Sequence, residues 1–286
     1  MKRLPWLLLL VACASRAGQI QFVDGAQNST PSPTTIVRLG DGGAPGDTVV
    51  VGLTWQTPGT ITSLTDNRGD TYVPVSTATS GVVGLSTWSQ QLFYAAGIDA
   101  GAVPLTLTCA SVNEATYIEM VVAEYAGVAP QQPLDAFVDE FGVTTAGGTP
   151  TVIDGGELQT RSADELLAVW TVTDLGATGP GAGYTARISA AGDLFEDRFQ
   201  AAAAATAVSN TDTYNASGVS WHIVAAAFRS SLSADAGTDA GGPSPAADAG
   251  QTSALPLIAN IGCGCQSGGV GFTLACFALA LLRFAR

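Results

Sequence analysis

Glu119 and Glu124 stand five residues apart in the run TYIEMVVAEYAG. Two carboxyls about 5 Å apart are the machinery of a retaining glycosidase, one attacking as nucleophile and the other delivering a proton. A spacing of five places them on opposite faces of a regular strand, so the pair suits that chemistry only if a bulge restores a common face. His222 is the chain's one histidine. It leaves a Ser-His-Asp triad formally open but excludes sites built on two or three histidine ligands. Its setting, VSWHIVAAAF, is apolar on both strand faces and predicts a packed or edge-facing strand residue. Cys109 in PLTLTCAS shares one face with Leu105 and Leu107 by period-two alternation. That is the pattern of a small buried hydrophobe, not of a reactive thiol.

The loop DNRGDTY offers hard oxygen ligands for calcium in Asp66, Asn67 and Asp70. Arg68 sits where such a loop wants an acceptor, and no glutamate closes the site. Arg68-Gly69-Asp70 also spells an integrin-binding tripeptide, but the setting reads as a hairpin turn with Gly69 supplying a positive φ. Glu196-Asp197-Arg198 and Arg187 are expected to form a structural charge cluster, either arginine being able to grip a carboxylate at a sandwich rim. Trp55, Trp88 and Tyr72 could stack on sugar rings if exposed, while Trp170 and Trp221 look like core. No catalytic residue, metal or cofactor is assigned.

Composition narrows the classes further. All 24 acidic residues lie between residues 18 and 260, against six arginines there, a net charge of −18. The only lysine is Lys2. Such an acidic surface repels phosphate backbones, so no nucleic-acid partner is expected. Schiff-base and P-loop lysine chemistry are excluded outright. With Cys13 and the three C-terminal cysteines set aside, Cys109 has no partner for an intramolecular disulfide.

The elements that must position these residues read as strands. Between 18 and 230, short runs rich in Val, Ile, Thr, Tyr and Trp are punctuated by Gly, Pro, Asn and Asp, and helix periodicity is poor. This predicts an all-β fold, a β-sandwich of jelly-roll or immunoglobulin-like type. Four segment pairs echo one another in the same order: APGDTVVVGLTW with RSADELLAVWTV, NRGDTYVPV with GAGYTARIS, QQLFYAAG with FEDRFQAAA, and YIEMVVAEYAGV with SWHIVAAAFRSS. Two related halves are therefore expected, about 18–135 and 136–230, joined in one domain because each alone would bury a thin core. Residues 231–260 are Asp, Ala, Gly, Pro, Ser and Thr with little apolar bulk, which predicts a disordered spacer.

The ends read as an address. Lys2 and Arg3 precede an apolar run from Leu4 to Ala12, and Ser15-Arg16-Ala17 fits a cleavage site after Ala17, so 1–17 is expected to be an export signal. Leu10-Val11-Ala12-Cys13 also fits a lipobox, in which Cys13 would carry a diacylglyceryl anchor. At the other end Gly262, Cys263 and Cys265 precede a short apolar run that ends at Arg283 and Arg286. The run is shorter than the roughly 20 residues a spanning helix needs. Segment 261–286 resembles the MYXO-CTERM sorting tail of myxobacterial exported proteins. That resemblance implies a C-terminal sorting protease as partner, processing near Cys263, a short hydrophobic helix and retention at the cell surface. Membrane contact is expected only through the tail or a lipid on Cys13.

The stretch 40–230 resembles a module of many bacterial exported proteins of unassigned function. The likeness rests on Gly46-Asp47, Asp66/Gly69/Thr71-Tyr72, Tyr94, Glu124-Tyr125-Gly127, Pro133-Leu134-Asp135, Ala163 to Leu166, Gly183/Thr185/Arg187, Glu196-Asp197-Arg198 and Trp221 to Phe228. It implies fold and an extracellular setting and carries no catalytic residue. The function expected is therefore a surface-anchored, non-enzymatic binding or adhesion module with an extracellular glycan or protein ligand. The alternatives are a carbohydrate-active hydrolase on a concanavalin-like sandwich, and a purely structural envelope protein. Mass spectrometry of the protein recovered from its own envelope should find an N-terminus at Gly18 and a C-terminal cut close to Cys263; an intact tail and an uncut signal would refute the address.

Overall fold

The computed structural model describes residues 19–40, 43–83, 86–101, 103–112, 117–144, 151–174, 178–212 and 217–234. Ala17, Cys13, Gly262, Cys263, Cys265, Arg283 and Arg286 lie outside them, as do the spacer beyond Ala234 and the whole tail. The described residues all belong to one compact unit, Met1–Gly241. They are almost entirely antiparallel β-sheet.

Strands are numbered in chain order. The first sheet runs β1 (Gln21–Thr30), β9 (Ile118–Ala126), β3 (Thr48–Gln56), β7 (Ser86–Ala96) and β5 (Val73–Pro74), with β6 (Thr79–Val83) also on β7. The second is β2 (Thr34–Leu39), β8 (Leu105–Val112) and β4 (Thr60–Asp66). The third is β10 (Leu134–Val143), β17 (Ser220–Phe228), β12 (Glu165–Thr173), β15 (Asp193–Gln200) and β14 (Thr185–Ala190). The fourth is β11 (Thr151–Gln159), β16 (Ala205–Asp212) and β13 (Thr178–Gly179). The third and fourth sheets repeat the strand order of the first and second. The four sequence echoes fall on the corresponding strands: β3 with β12, the approach to β5 with β14, β7 with β15, and β9 with β17.

Three apolar cores stack these sheets in the order second, first, third, fourth. Val49, Val51, Leu53, Met120 and Val122 meet Leu105, Leu107 and Cys109 between the second and first sheets. Val50, Val121, Ala123 and Tyr125 meet Leu166, Ala168, Trp170, Val224 and Phe228 between the first and third. Leu167, Val169, Ile223 and Ala225 meet Ile153 and Val208 between the third and fourth. Alternate residues of β3, β9, β12 and β17 thus enter two different cores. A strand buried on both faces needs apolar residues at nearly every position, which is why these four lack period-two alternation. Strands of the outer sheets alternate, as in β2, whose odd-facing residues Thr35, Val37 and Leu39 are buried and whose others are exposed.

Ser231–Ala234 forms one helical turn, α1. The Ser231 N–H donates to the Gly127 carbonyl and the Leu232 N–H to Ser230 Oγ, which holds the turn against the domain; the rest of the expected spacer lies outside the described residues.

The central interface is tightest at Gly52 in β3. A Cβ there would stand 2.8 Å from both Trp170 and Val121 side-chain atoms. Gly52→Val should therefore overpack the interface and destabilise by roughly 1–3 kcal/mol, read as a lower midpoint in denaturant; an unchanged midpoint would refute the packing described here.

Candidate functional site

The carboxyls that suggested hydrolysis are separated by the strand that carries them. β9 pairs with β3 in unbroken register, Thr54 opposite Glu119 and Val49 opposite Glu124. Without a bulge the two side chains point into different cores. Glu119 faces the third sheet and donates to Asp193, which also accepts the Thr173 N–H at 2.9 Å. Glu124 faces the other way and accepts hydrogen bonds from the Asp47 carboxyl and from the N–H groups of Ala44 at 2.9 Å and Gly43 at 3.2 Å. Burial first, then the neighbouring carboxylate, pushes Glu119 up to about 9 and Asp47 up to about 7. Burial likewise pushes Asp193 up to about 8. In the second half Glu165 is pushed up to about 7 by burial and by Asp135, which is itself ion-paired with Arg229. All of these carboxyls are at most 9% exposed. Pairs in hydrogen-bond contact and shut away from solvent leave no room for a sugar between them, so the geometry does not assemble a glycosidase site.

The DNRGDTY loop is a pinned turn. Asp66 Oδ1 accepts the N–H groups of Arg68, Gly69 and Asp70, and Oδ2 accepts the Tyr72 hydroxyl at 2.9 Å. Burial alone would raise the Asp66 pKa, but these donors outweigh it and hold it below the usual carboxylate range. Arg68 lies back on the carbonyls of Gly43 and Asp99, at 2.7 and 3.0 Å. Gly69 has φ +88°, as the turn requires. Asp66 spends both oxygens on the loop's own donors, Asn67 Oδ1 accepts the Thr106 N–H and Asp70 Oδ1 the Asp99 N–H, and among the described residues no cluster of His, Cys, Asp and Glu is placed to hold a metal.

Arg187 and Asp197 pair at 2.8 Å, with Tyr125 donating to the same carboxylate oxygen at 2.9 Å and the guanidinium lying 4.6 Å above the Phe22 ring. This links the two halves at the margin of the central interface, where the edge strands β1 and β14 meet. Arg198 lies over Tyr184. Three aromatic expectations change. Trp55 is buried, its Nε1 donating to Gly59, because β3 turns it into the first core. Tyr72 is half-buried against Asp66, and Trp88 is half-buried against Tyr117 at 5.5 Å. Trp170 is fully buried, whereas Trp221 is only half-buried at the edge of its core. Cys109 is buried, and burial pushes its thiol up to about 12.

His222 meets a group that sequence reading did not single out. Its Nε2 lies 2.8 Å from Asp139 on β10, and the other carboxylate oxygen accepts the hydroxyls of Ser76 and Thr79 at 2.9 and 2.8 Å. Burial would raise Asp139, but His222, Thr79 and Ser76 together hold it low. Both hydroxyls approach the carboxylate and neither approaches the imidazole, which is the reverse of a nucleophile–base pair. Beside this cluster β10 is an edge strand that exposes Phe137, Phe141 and Val143, at 48%, 56% and 53%. The Phe141 ring meets His222 edge-on at 6.0 Å. Apolar exposure on a strand edge that no other described strand pairs with is the surface feature that most needs an explanation. The alternation of DAFVDEFGV could have signalled it, but an outward-facing Phe reads as inward until the edge position is known.

Comparison with protein-family models, with curated proteins and with solved structures gives no match. Among the described residues no helix is long and apolar enough to cross a membrane.

The raised carboxyls carry a pH signature. Asp47, Glu119, Glu165, Asp193 and Glu196 hold protons in the folded state that the unfolded chain gives up near pH 4. Their contribution is full below that pH and is lost as pH climbs through about 7 to 9, at about 1.4 kcal/mol per pH unit for each proton. Asp66 and Asp139 act oppositely, losing their contribution as pH falls through their lowered values. Thermal melts should therefore peak between about pH 4 and 5 and fall steadily to pH 9; a midpoint that rises with pH over that range would contradict the protonated pairs.

Proposed function

We propose that this chain is an exported, surface-anchored, non-enzymatic β-sandwich module that binds an extracellular glycan or protein. The observation that carries the reading is the β10 edge, where Phe137, Phe141 and Val143 stand exposed beside His222 and Asp139. Aromatic side chains on a free edge supply contact area at low entropic cost, and an edge strand offers unpaired backbone groups to an incoming segment. The polar constellations that could have done chemistry are buried and paired with one another, which supports binding over hydrolysis.

The finer architecture we propose is a tandem of two related jelly rolls. In each half the first strand lies beside the last in one sheet, and the second beside the next-to-last in the other, which is jelly-roll rather than immunoglobulin order. The address at the two ends supports the remaining parts of the reading. Export is directed by 1–17, cleavage follows Ala17 or lipid joins Cys13, and a sorting protease acts at the tail around Cys263.

Binding of the full protein and of a Phe137→Ser, Phe141→Ser double variant should be compared on a panel of glycans and extracellular-matrix proteins. Loss of about tenfold in affinity with an unchanged melting temperature is expected. Equal binding by both proteins would remove the β10 face from the reading, and no binding by either would remove the ligand role.

A further inference from the structure

The second half encloses a reactive-looking triad that the binding role leaves unused. Thr171 on β12, Glu196 on β15 and Asn210 on β16 are each fully buried between the third and fourth sheets. Asn210 Nδ2 donates to Thr171 Oγ1 at 2.9 Å and to Glu196 Oε1 at 3.0 Å. The amide oxygen accepts the Thr211 N–H at 3.2 Å, and Glu196 Oε2 accepts the Gly181 N–H at 2.9 Å. Gly181 has to be glycine for this approach, since a Cβ there would overlap the Ser209 carbonyl. An alcohol, a carboxamide and a carboxyl group thus converge in one dry pocket.

Packing does not demand them. In the first half the corresponding interior, around Trp55 and Cys109, is mostly apolar, with the small hydroxyls of Thr35 and Ser89 beside them and no carboxamide or carboxyl group opposite either residue. Burying three polar groups costs free energy relative to such a core even when each is hydrogen-bonded.

We propose that Thr171 and Asn210 join in an intramolecular ester that cross-links β12 to β16, with Glu196 carrying the proton. The Thr171 oxygen attacks Asn210 Cγ, the carbon bonded to the nitrogen it already contacts, and the Cγ–Nδ2 bond breaks. The hydroxyl proton passes through Glu196 to the departing nitrogen, which leaves as ammonia. An alcohol and an amide become an ester and ammonia, and Glu196 ends as it began, with no oxidant or reductant required. The Thr211 N–H stabilises the oxygen on which charge develops. Burial keeps the Glu196 carboxyl protonated near neutral pH, its pKa pushed up to about 8, so it has a proton to give. Fixed proximity supplies the effective concentration that the two groups lack in water, and the same dry pocket protects the ester from hydrolysis.

The arginine spacing makes the test direct. Trypsin cuts after Arg161, Arg187, Arg198 and Arg229, which places Thr171 on peptide 162–187 and Asn210 on peptide 199–229. Mass spectrometry of the full-length protein, digested after unfolding, should show a single species uniting both peptides and lighter than their sum by one ammonia. Hydroxylamine should split it. Thr171→Ser, which keeps the hydroxyl, should retain the linked species, and Thr171→Val should lose it completely. Separate linear peptides from the unmutated protein, with Asn210 intact or deamidated, overturn the cross-link whatever the variants do. A linked species undiminished in a Glu196→Gln protein overturns the proton-carrying role.

Discussion

The structure turns on the face-to-face burial of the first sheet against the third. That contact leaves β3, β9, β12 and β17 with no face toward water, so every side chain they carry must be apolar or paired. Most positions meet the demand with Val, Ile, Leu or Ala. The remainder produce the polar features of the interior. Trp170 Nε1 donates to Thr54 Oγ1 across the interface, Gln90 donates to the Trp170 carbonyl, Tyr125 donates to Asp197, and Glu119 shares its proton with Asp193. These contacts lock one half to the other at fixed points, while the apolar contacts around them supply most of the burial. Polar pairs of this kind specify register better than they add stability.

The same constraint accounts for the acid residues. A chain with 24 acidic residues and no lysine in its folded part cannot neutralise every buried carboxyl with a cation. Arg187 and Arg229 serve Asp197 and Asp135. Asp47 and Glu119 instead keep their own protons and donate them in hydrogen bonds to Glu124 and Asp193, and burial holds the proton on Glu196 without a carboxyl partner. An acidic protein with few cations can thus bury carboxyls by keeping some of them protonated.

Much of the fold was legible in the sequence. The strand runs, the turn at Gly69 and the buried face shared by Leu105, Leu107 and Cys109 follow from local periodicity and turn chemistry. The four echoes located corresponding strands because each half repeats the same burial demands at the same places. What periodicity could not supply was the four-layer stacking. Trp55 looked available for ligand because a lone strand has an open face, and only the second sheet closes it. The pairing of Glu119 with Asp193, 74 positions away in sequence, and of His222 with Asp139 depends on which strands become neighbours, and single-strand patterns do not encode that. The exposed β10 edge was hidden for the opposite reason. Its Phe residues carry the signature of core, and edge position alone turns them outward.

The place where the chain leaves the domain gives β17 a further property. The strand is hydrogen-bonded to β10 on one side and β12 on the other along almost its whole length. It ends next to Gly127, where Ser231 is tied down. Under the proposed function, a tether beyond α1 would load the end of this central strand and a ligand on β10 the strand alongside. Tension between the two would then load the β10–β17 ladder in shear, so its hydrogen bonds would share the force and fail together instead of opening one at a time. Such a layout resists extension far better than one in which the tether leaves from an edge strand and can be peeled away.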